Sequence, residues 1–332
     1  MSSNIPDFPQ PLVFENADIS REPSYVPADV LQPESAPSPL QWALSILLLI
    51  LTFCTATFAG FFYTTGFLGL RNPTSLLLQP NLRMLVACIS FSFPLIVILT
   101  AHELGHYFAC RYYGMKCTPP YFIPVPLPIT GTLGAFIKIK SHFPRKKALF
   151  DIGIAGPLAG FLFSMPVLWI GINISRLTPK LPAGFTGLSF GEPIIFRLIG
   201  IAVLGYSPER QDIIAHPMAM AGWVGLLATS LNLLPVWQLD GGHISYAVFG
   251  AKWYKKMSFA AVAFLIIVSF IGWPTPSYLL FGLILLIIGW RRRFYHPAPL
   301  MDEGPLGVGR VILAFIALII LILSFTPIPI TT

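Results

Sequence analysis

Two histidines and a glutamate lie close together in an otherwise apolar stretch, LTAHELGHYFAC, at residues 99–110. If this stretch is helical, His102 and His106 lie one turn apart on the same face, with Glu103 beside them. Both imidazoles can then reach one metal ion. Imidazole suits zinc, and a neighbouring glutamate can act as general base on a water molecule. The spacing therefore predicts a hydrolytic metal centre that still needs one more protein ligand.

The remaining ligand should be an acidic residue or a histidine at the same depth and on the same side. Asp240 and Asp151 are the acidic residues that border the apolar stretches there. The Gly241–Gly242 pair after Asp240 would let the backbone bend and aim its carboxylate inward. Asp151 lies near the start of another apolar stretch, where a helix N-cap explains it without any function. We therefore predict Asp240 as the third ligand, with Asp151 as the alternative.

The composition places these residues in a membrane. Of 332 residues, 55% are hydrophobic and 11% charged, with a mean hydropathy of +0.73. A soluble domain carries about 25% charged residues. The net charge is +7, but basic residues are not interleaved with aromatic ones in a pattern typical of nucleic-acid binding. We expect the lipid bilayer as the environment and no nucleic-acid partner.

Apolar stretches long enough to cross a bilayer need about 20 residues. They predict an all-α polytopic membrane protein of about six to seven transmembrane helices. The domains expected are a disordered tail at 1–40, rich in proline and acidic residues, and an integral membrane domain at 41–332. The predicted spans are 42–63, 84–111, 148–173, 217–236, 309–326 and a pair within 257–290 hinged at 272–277. The short stretch 193–206 carries Arg197 and is interpreted as interfacial or partly inserted.

The lysines and arginines predict the orientation, because cytosolic loops carry an excess of them. With seven spans, the tail and the loops 111–147, 237–256 and 291–308 share one face, which holds most of the basic residues. That face is predicted to be cytosolic, and the histidines and glutamate lie in the third of their span nearest to it.

The segment after this span breaks the membrane pattern. Residues 118–131 hold five prolines and cannot form a helix. The following residues, GTLGAFIKIK, alternate in the manner of a short strand. Irregular backbone at membrane depth is tolerated where protein or a water-filled cavity satisfies it. A re-entrant loop or strand beside the metal centre is therefore expected.

An ordered set of motifs resembles the site-2 protease family of intramembrane zinc metalloproteases. HELGH lies in one span, and the pattern N-x-L-P-x-x-x-x-D-G, residues 232–241, closes a later one. Between them, GIAGPLAG at 153–160 looks like the family's Gly-Pro-containing helix, and GTLGAFI at 131–137 looks like its substrate-side strand. Together these motifs cover about 84–245, the expected catalytic core.

The resemblance implies a function and a set of roles. The chain would hydrolyse peptide bonds within or next to transmembrane segments of other membrane proteins. One Zn²⁺ would be held by His102, His106 and Asp240, with Glu103 as the catalytic base. Asn232 would donate to the substrate backbone or the oxyanion, unless it is a polar residue that packs between helices. Gly131 and Gly134 would contact the substrate, held extended along the edge strand 134–140.

Two rival classes remain on the residues alone. Other membrane metalloproteases with HExxH use a downstream glutamate as ligand, but Glu192 and Glu209 fall on the opposite face in this topology. A metal transporter or an inactive scaffold could use the same metal site. A transporter should carry ionisable residues in several spans, and a scaffold has no need of Glu103. The membrane expected is a bacterial plasma membrane, with an organellar one as the alternative.

Overall fold

The computed structural model describes residues 37–69, 82–182, 188–271, 275–291, 294, 296–302 and 304–331. Most of the predicted tail and the first part of the predicted hinge lie outside these residues. The helices are α1 (Pro39–Leu68), α2 (Leu82–Tyr112), α3 (Lys146–Asn173), α4 (Ile194–Leu204), α5 (Pro217–Asn232), α6 (Asp240–Ser269), α7 (Leu279–Arg291) and α8 (Val308–Ser324). The strands are β1 (Tyr121–Pro124), β2 (Thr132–Phe136), β3 (Arg176–Pro179), β4 (Ser189–Phe190), β5 (Gln211–Ile214) and β6 (Ile330–Thr331).

Among the described residues, α1, α2 and α3 are long and apolar enough to cross a membrane. At 31 residues, α2 is about 46 Å long, whereas the hydrocarbon core is about 30 Å thick. The prediction of a mostly helical membrane protein is confirmed. The count of six to seven spans depends on the shorter helices and stays a prediction. Helix α4 has eleven residues, about 16 Å, in the stretch interpreted as interfacial.

Small residues let the long helices approach closely. A Cβ added to Gly60 of α1 would lie 2.4 Å from the carbonyl oxygen of Cys88 in α2. A Cβ added to Gly105 of α2 would lie 2.5 Å from the carbonyl oxygen of Ala155 in α3. Such approaches are typical of helix packing in lipid, where association depends on close contact. Helix α3 therefore packs directly against α2 and also contacts α5 and α6.

Three two-stranded antiparallel sheets complete the described residues, so the all-α description is too narrow. The pair β1–β2 lies where a strand was expected and packs against α1. The pairs β3–β5 and β4–β6 were not predicted, because each joins very short segments that are far apart in sequence. Beside β3–β5, Lys180 Nζ lies 2.6 Å from Asp212 Oδ1, and the backbone amide of Leu181 donates to the same carboxylate.

Candidate active site

Helix α2 presents the two histidines and the glutamate of the HELGH motif to the protein interior. His102 and His106 are each 7% exposed and Glu103 is 6% exposed. Their imidazole rings lie edge to face with centroids 4.9 Å apart. The helical spacing thus brings both imidazoles to one place on α2.

Asp240 is the first residue of α6, so the Gly241–Gly242 pair is helical. The interpretation of these glycines as a flexible turn is wrong, and the predicted loop at 237–256 is helical from Asp240 except at Gly250, where a non-helical backbone (φ +74°) marks a kink. A Cβ at Gly241 would lie 2.0 Å from the carbonyl oxygen of Leu233, and one at Gly242 would lie 2.2 Å from that of Trp237. The glycines therefore let the start of α6 pack tightly on the loop before it, which fixes the position of Asp240.

The side chains of α2 and α6 meet at this point. Asp240 Oδ2 lies 3.2 Å from His102 Nε2, and Asp240 Oδ1 lies 3.2 Å from His106 Nε2. The two Nε2 atoms are 3.1 Å apart. Ligand atoms of these three residues all lie within 4.8 Å of one another, and among the described residues they form the one such group of three or more.

The hydrogen bond of His106 to the backbone determines which of its ring nitrogens can bind a metal. Its Nδ1 lies 2.7 Å from the carbonyl oxygen of Ile152, which can only accept, so Nδ1 carries the proton. The Nε2 of the neutral ring then presents its lone pair. Asp240 Oδ2 is buried and has no hydrogen-bond partner within the described ranges. Two imidazole nitrogens and a carboxylate facing one another are a donor set that fits Zn²⁺.

Two glycines of α3 make room for the imidazoles. A Cβ at Gly156 would lie 2.1 Å from His106 Nε2, and a Cβ at Gly160 would lie 3.1 Å from His102 Nδ1. A Gly-x-x-x-Gly pattern in an apolar helix is typical of close packing of one helix on another. In the structure, these two glycines lie against the histidine rings. The sequence does not show this, because it depends on how α3 is aligned along α2.

Glu103 faces the extended segment that follows β2. The backbone amide of Ile137 lies near its carboxylate. The two predicted substrate-contact glycines differ in their surroundings. Gly131 has φ +67°, and an added Cβ would lie 2.4 Å from the backbone of α1 at Ala56, so this glycine serves packing against α1. Gly134 has φ +99°, and an added Cβ would meet no described atom within 4 Å, which leaves this part of β2 open.

Asn232 ends α5 beside the group of ligands. Its Nδ2 lies 3.4 Å from His102 Nε2. The side chain is partly buried, and its amide can donate toward the space next to the histidines. This position is compatible with the predicted contact to a substrate.

Asp151 lies away from this group of ligands. It lies in the second turn of α3, which begins at Lys146, so its interpretation as a helix N-cap is wrong. Its two oxygens accept from Arg310 at 2.8 and 2.7 Å, and the hydroxyl of Tyr113 donates to the same carboxylate. Asp151 therefore ties α3 to α8 through an ion pair between residues 159 positions apart, which no local pattern indicates.

His243 and His296 form a pair that sequence reasoning did not identify. His243 lies one helical turn after Asp240, and its Nδ1 is 2.7 Å from His296 Nε2. His296 Nδ1 lies 2.8 Å from the carbonyl oxygen of Pro297, so this nitrogen carries the proton and Nε2 accepts from His243. Burial lowers the pKa of His296 to about 4, which keeps the ring neutral at physiological pH. His243 also lines a cavity of about 530 Å³ together with the extended segment 136–143.

Comparisons with known proteins identify relatives that are named as metalloproteases. The model of peptidase family M50 matches residues 90–272. A probable zinc metalloprotease EGY1, chloroplastic, of Oryza sativa subsp. japonica is 32% identical over 65% of this chain and 40% of its own length. The protein of the same name in Arabidopsis thaliana is 31% identical over 75% of this chain and 45% of its own length. The chain thus spans less than half the length of these relatives, and no solved structure matches it.

Proposed function

Because this chain belongs to peptidase family M50, the site-2 protease family, we propose that it is an intramembrane zinc metalloprotease. It would hydrolyse peptide bonds within or next to the transmembrane segments of other membrane proteins. The family assignment confirms the resemblance seen in the motifs. The whole protein's activity and substrates belong to this proposal.

The observation that carries the proposal is the meeting of His102, His106 and Asp240 with Glu103 beside them in a helix able to span a membrane. Ionisable side chains are costly in lipid and mark functional sites there. A purely structural role would leave Asp240 Oδ2 buried without a hydrogen bond, which costs free energy. A divalent cation held by these three residues would satisfy the imidazole lone pairs and the carboxylate together.

The residues divide the chemistry among them. His102, His106 and Asp240 would hold Zn²⁺, which when bound supplies a Lewis acid that lowers the pKa of water and polarises the scissile carbonyl. Glu103 takes a proton from the attacking water and delivers it to the leaving amine. The Ile137 amide lies near the Glu103 carboxylate, and the Ile152 carbonyl keeps His106 in the tautomer that ligates. Asn232 donates to the substrate carbonyl.

A substrate helix must unwind before cleavage, because its amides are otherwise bonded within the helix. The extended segment after β2 offers a place to hold it. Lys138 and Lys140 direct their backbone groups toward residues 116–118, with Lys140 N donating to the Lys116 carbonyl at 2.8 Å. The alternate residues Ile137 and Ile139 direct theirs to the other side, where Ile137 meets Glu103. A substrate paired along that edge would pass next to the catalytic base.

The rival functions fit less well. A transporter would place ionisable groups along a path through several helices, whereas the described ranges hold one group of three such ligands. An inactive scaffold has no need for a buried glutamate beside the ligands. We propose that the site opens toward the face that carries the loop 111–147. The relatives named above are chloroplastic, which favours the organellar alternative over the bacterial membrane expected from the sequence.

The test uses the purified full chain in neutral detergent, prepared without chelator. We expect about one zinc per chain by elemental analysis and cleavage of a labelled peptide that contains a transmembrane segment. His106→Ala should abolish both, because it removes one ligand. A wild-type protein that holds no metal under these conditions would refute the proposal.

A further inference from the structure

The cavity beside the candidate active site carries an unbalanced positive charge. It is lined by the extended segment 136–143 and by Gln238, His243, Pro297 and Ala298. Two of these lining residues, Lys138 and Lys140, are lysines, and none is acidic. Neither lysine forms an ion pair within the described ranges, and both side chains are exposed.

The positions of the two lysines are fixed by the backbone. Thr118 N donates to the Lys138 carbonyl at 3.1 Å, and Lys138 N donates to Thr118 Oγ1 at 2.9 Å. Lys140 is held in the same way by residue 116. In extended backbone, residues two apart point to the same face about 7 Å from each other. The lysines therefore form a pair of cations at the spacing of alternate side chains in an extended peptide.

The cavity adjoins the site at two points. Ile137, whose amide lies near Glu103, is one of its lining residues, and His243, three residues after Asp240, is another. The chain of hydrogen bonds through His296 directs the proton of His243 to Nδ1, so its Nε2 remains an acceptor. This nitrogen has no hydrogen-bond partner in the part of the chain that the structure describes.

We propose that this cavity binds the part of the substrate next to the scissile bond and selects segments with carboxylate side chains at alternate positions. The inference rests on the proposed function and names the substrate class of the same site. Cytosolic flanks of transmembrane segments are usually rich in lysine and arginine. Lys138 and Lys140 repel such flanks and attract acidic ones. The cavity therefore selects the minority of membrane proteins whose flanks are acidic.

The test measures binding with the Glu103→Gln variant of the full chain, so that it does not depend on turnover. Three fluorescent peptides share one transmembrane segment and differ in its flank, which is Glu-Ser-Glu, Gln-Ser-Gln or Lys-Ser-Lys. In neutral micelles at low salt, we expect the acidic peptide to bind about tenfold more tightly than the basic one, from two partly exposed ion pairs. The preference should shrink at high ionic strength.

Charge reversal supplies the matched comparison. Lys138→Glu/Lys140→Glu should reverse the order of the three peptides. Lys252→Glu/Lys255→Glu changes the same charge at exposed positions of α6 that do not line the cavity, and it should keep the wild-type order. Equal affinity for all three peptides, or no binding of any, would overturn the inference.

Three further outcomes separate the alternatives. If cavity charge reversal weakened binding to phosphatidylserine vesicles and left the peptide order unchanged, the lysines would contact lipid and the inference would be wrong. Failure of the inference leaves the protease proposal intact whenever wild type still cleaves the peptides, regardless of their flanks. Selective binding without any cleavage by wild type would support the cavity assignment and count against the protease.

Discussion

Replacing Gly156 with alanine should remove the metal without touching a ligand. The added Cβ would lie 2.1 Å from His106 Nε2, whereas ordinary contacts begin at 3.4 Å, so the ring must move by about 1.3 Å. Metal–ligand distances tolerate changes of only about 0.2 Å. The displaced His106 would no longer ligate, and we expect zinc affinity to fall at least about 100-fold, or about 2.8 kcal/mol.

The assay is a titration of zinc against a fluorescent chelator, with thermal unfolding of the same samples as the measure of folding. Gly160→Ala gives a graded comparison, because its Cβ at 3.1 Å from His102 Nδ1 requires a shift of only about 0.3 Å. We expect this variant to lower the zinc affinity by less than about tenfold. Gly309→Ala in α8 is the control, since its Cβ would meet nothing within 4 Å. A folded Gly156→Ala protein with wild-type zinc affinity would refute the steric argument.

Three more predictions follow from individual carboxylates. Glu103→Gln should keep about one zinc per chain by elemental analysis and lose peptide cleavage, since it removes only the base; retained cleavage would contradict its role. Asp240→Ala should lose the zinc, whereas Asp151→Ala should keep it but unfold at lower temperature, because Arg310 loses its partner; metal loss in both variants would contradict the assignment of Asp240. Burial raises the pKa of Asp212, but the hydrogen bonds from a backbone amide and Lys180 outweigh it and lower the pKa below its ordinary value. The stabilisation from Asp212 is therefore present above the ordinary aspartate pKa and lost as pH falls through the lowered one. Asp212→Asn should reduce the fall of the unfolding temperature at acidic pH. An unchanged fall would show that Asp212 is not its cause.

Local patterns in the sequence were sufficient to predict the central residues of the site. His102, Glu103 and His106 are close in the chain, and a helix places them together without help from other elements. Membrane character follows from apolar stretches long enough to cross a bilayer. Asp240 was selected because acidic residues near the spans are scarce, and the structure brings it to both histidines across more than 130 residues.

Other features could not be read from the chain because they depend on contacts between distant elements. The Gly241–Gly242 pair looks like a turn when only conformational freedom is considered, but the adjacent loop requires a tight contact there. Asp151 looks like a cap until Arg310 is placed beside it. The short pairs β3–β5 and β4–β6 exist only because tertiary packing aligns their strands.

The sequence by itself determined the class of chemistry, since ligand types and helical spacing are local properties that survive any arrangement of the remaining chain. Tertiary structure decided what makes that chemistry possible. Only the packing of α3 on α2 places Gly156 against His106 and directs the Ile152 carbonyl to its Nδ1. Likewise, only the position of the extended segment puts Lys138 and Lys140 in the wall of the cavity that His243 also lines. The contacts of His106 with Ile152 and Gly156 join residues 46 and 50 positions apart, and their energies depend on distances that no spacing rule contains.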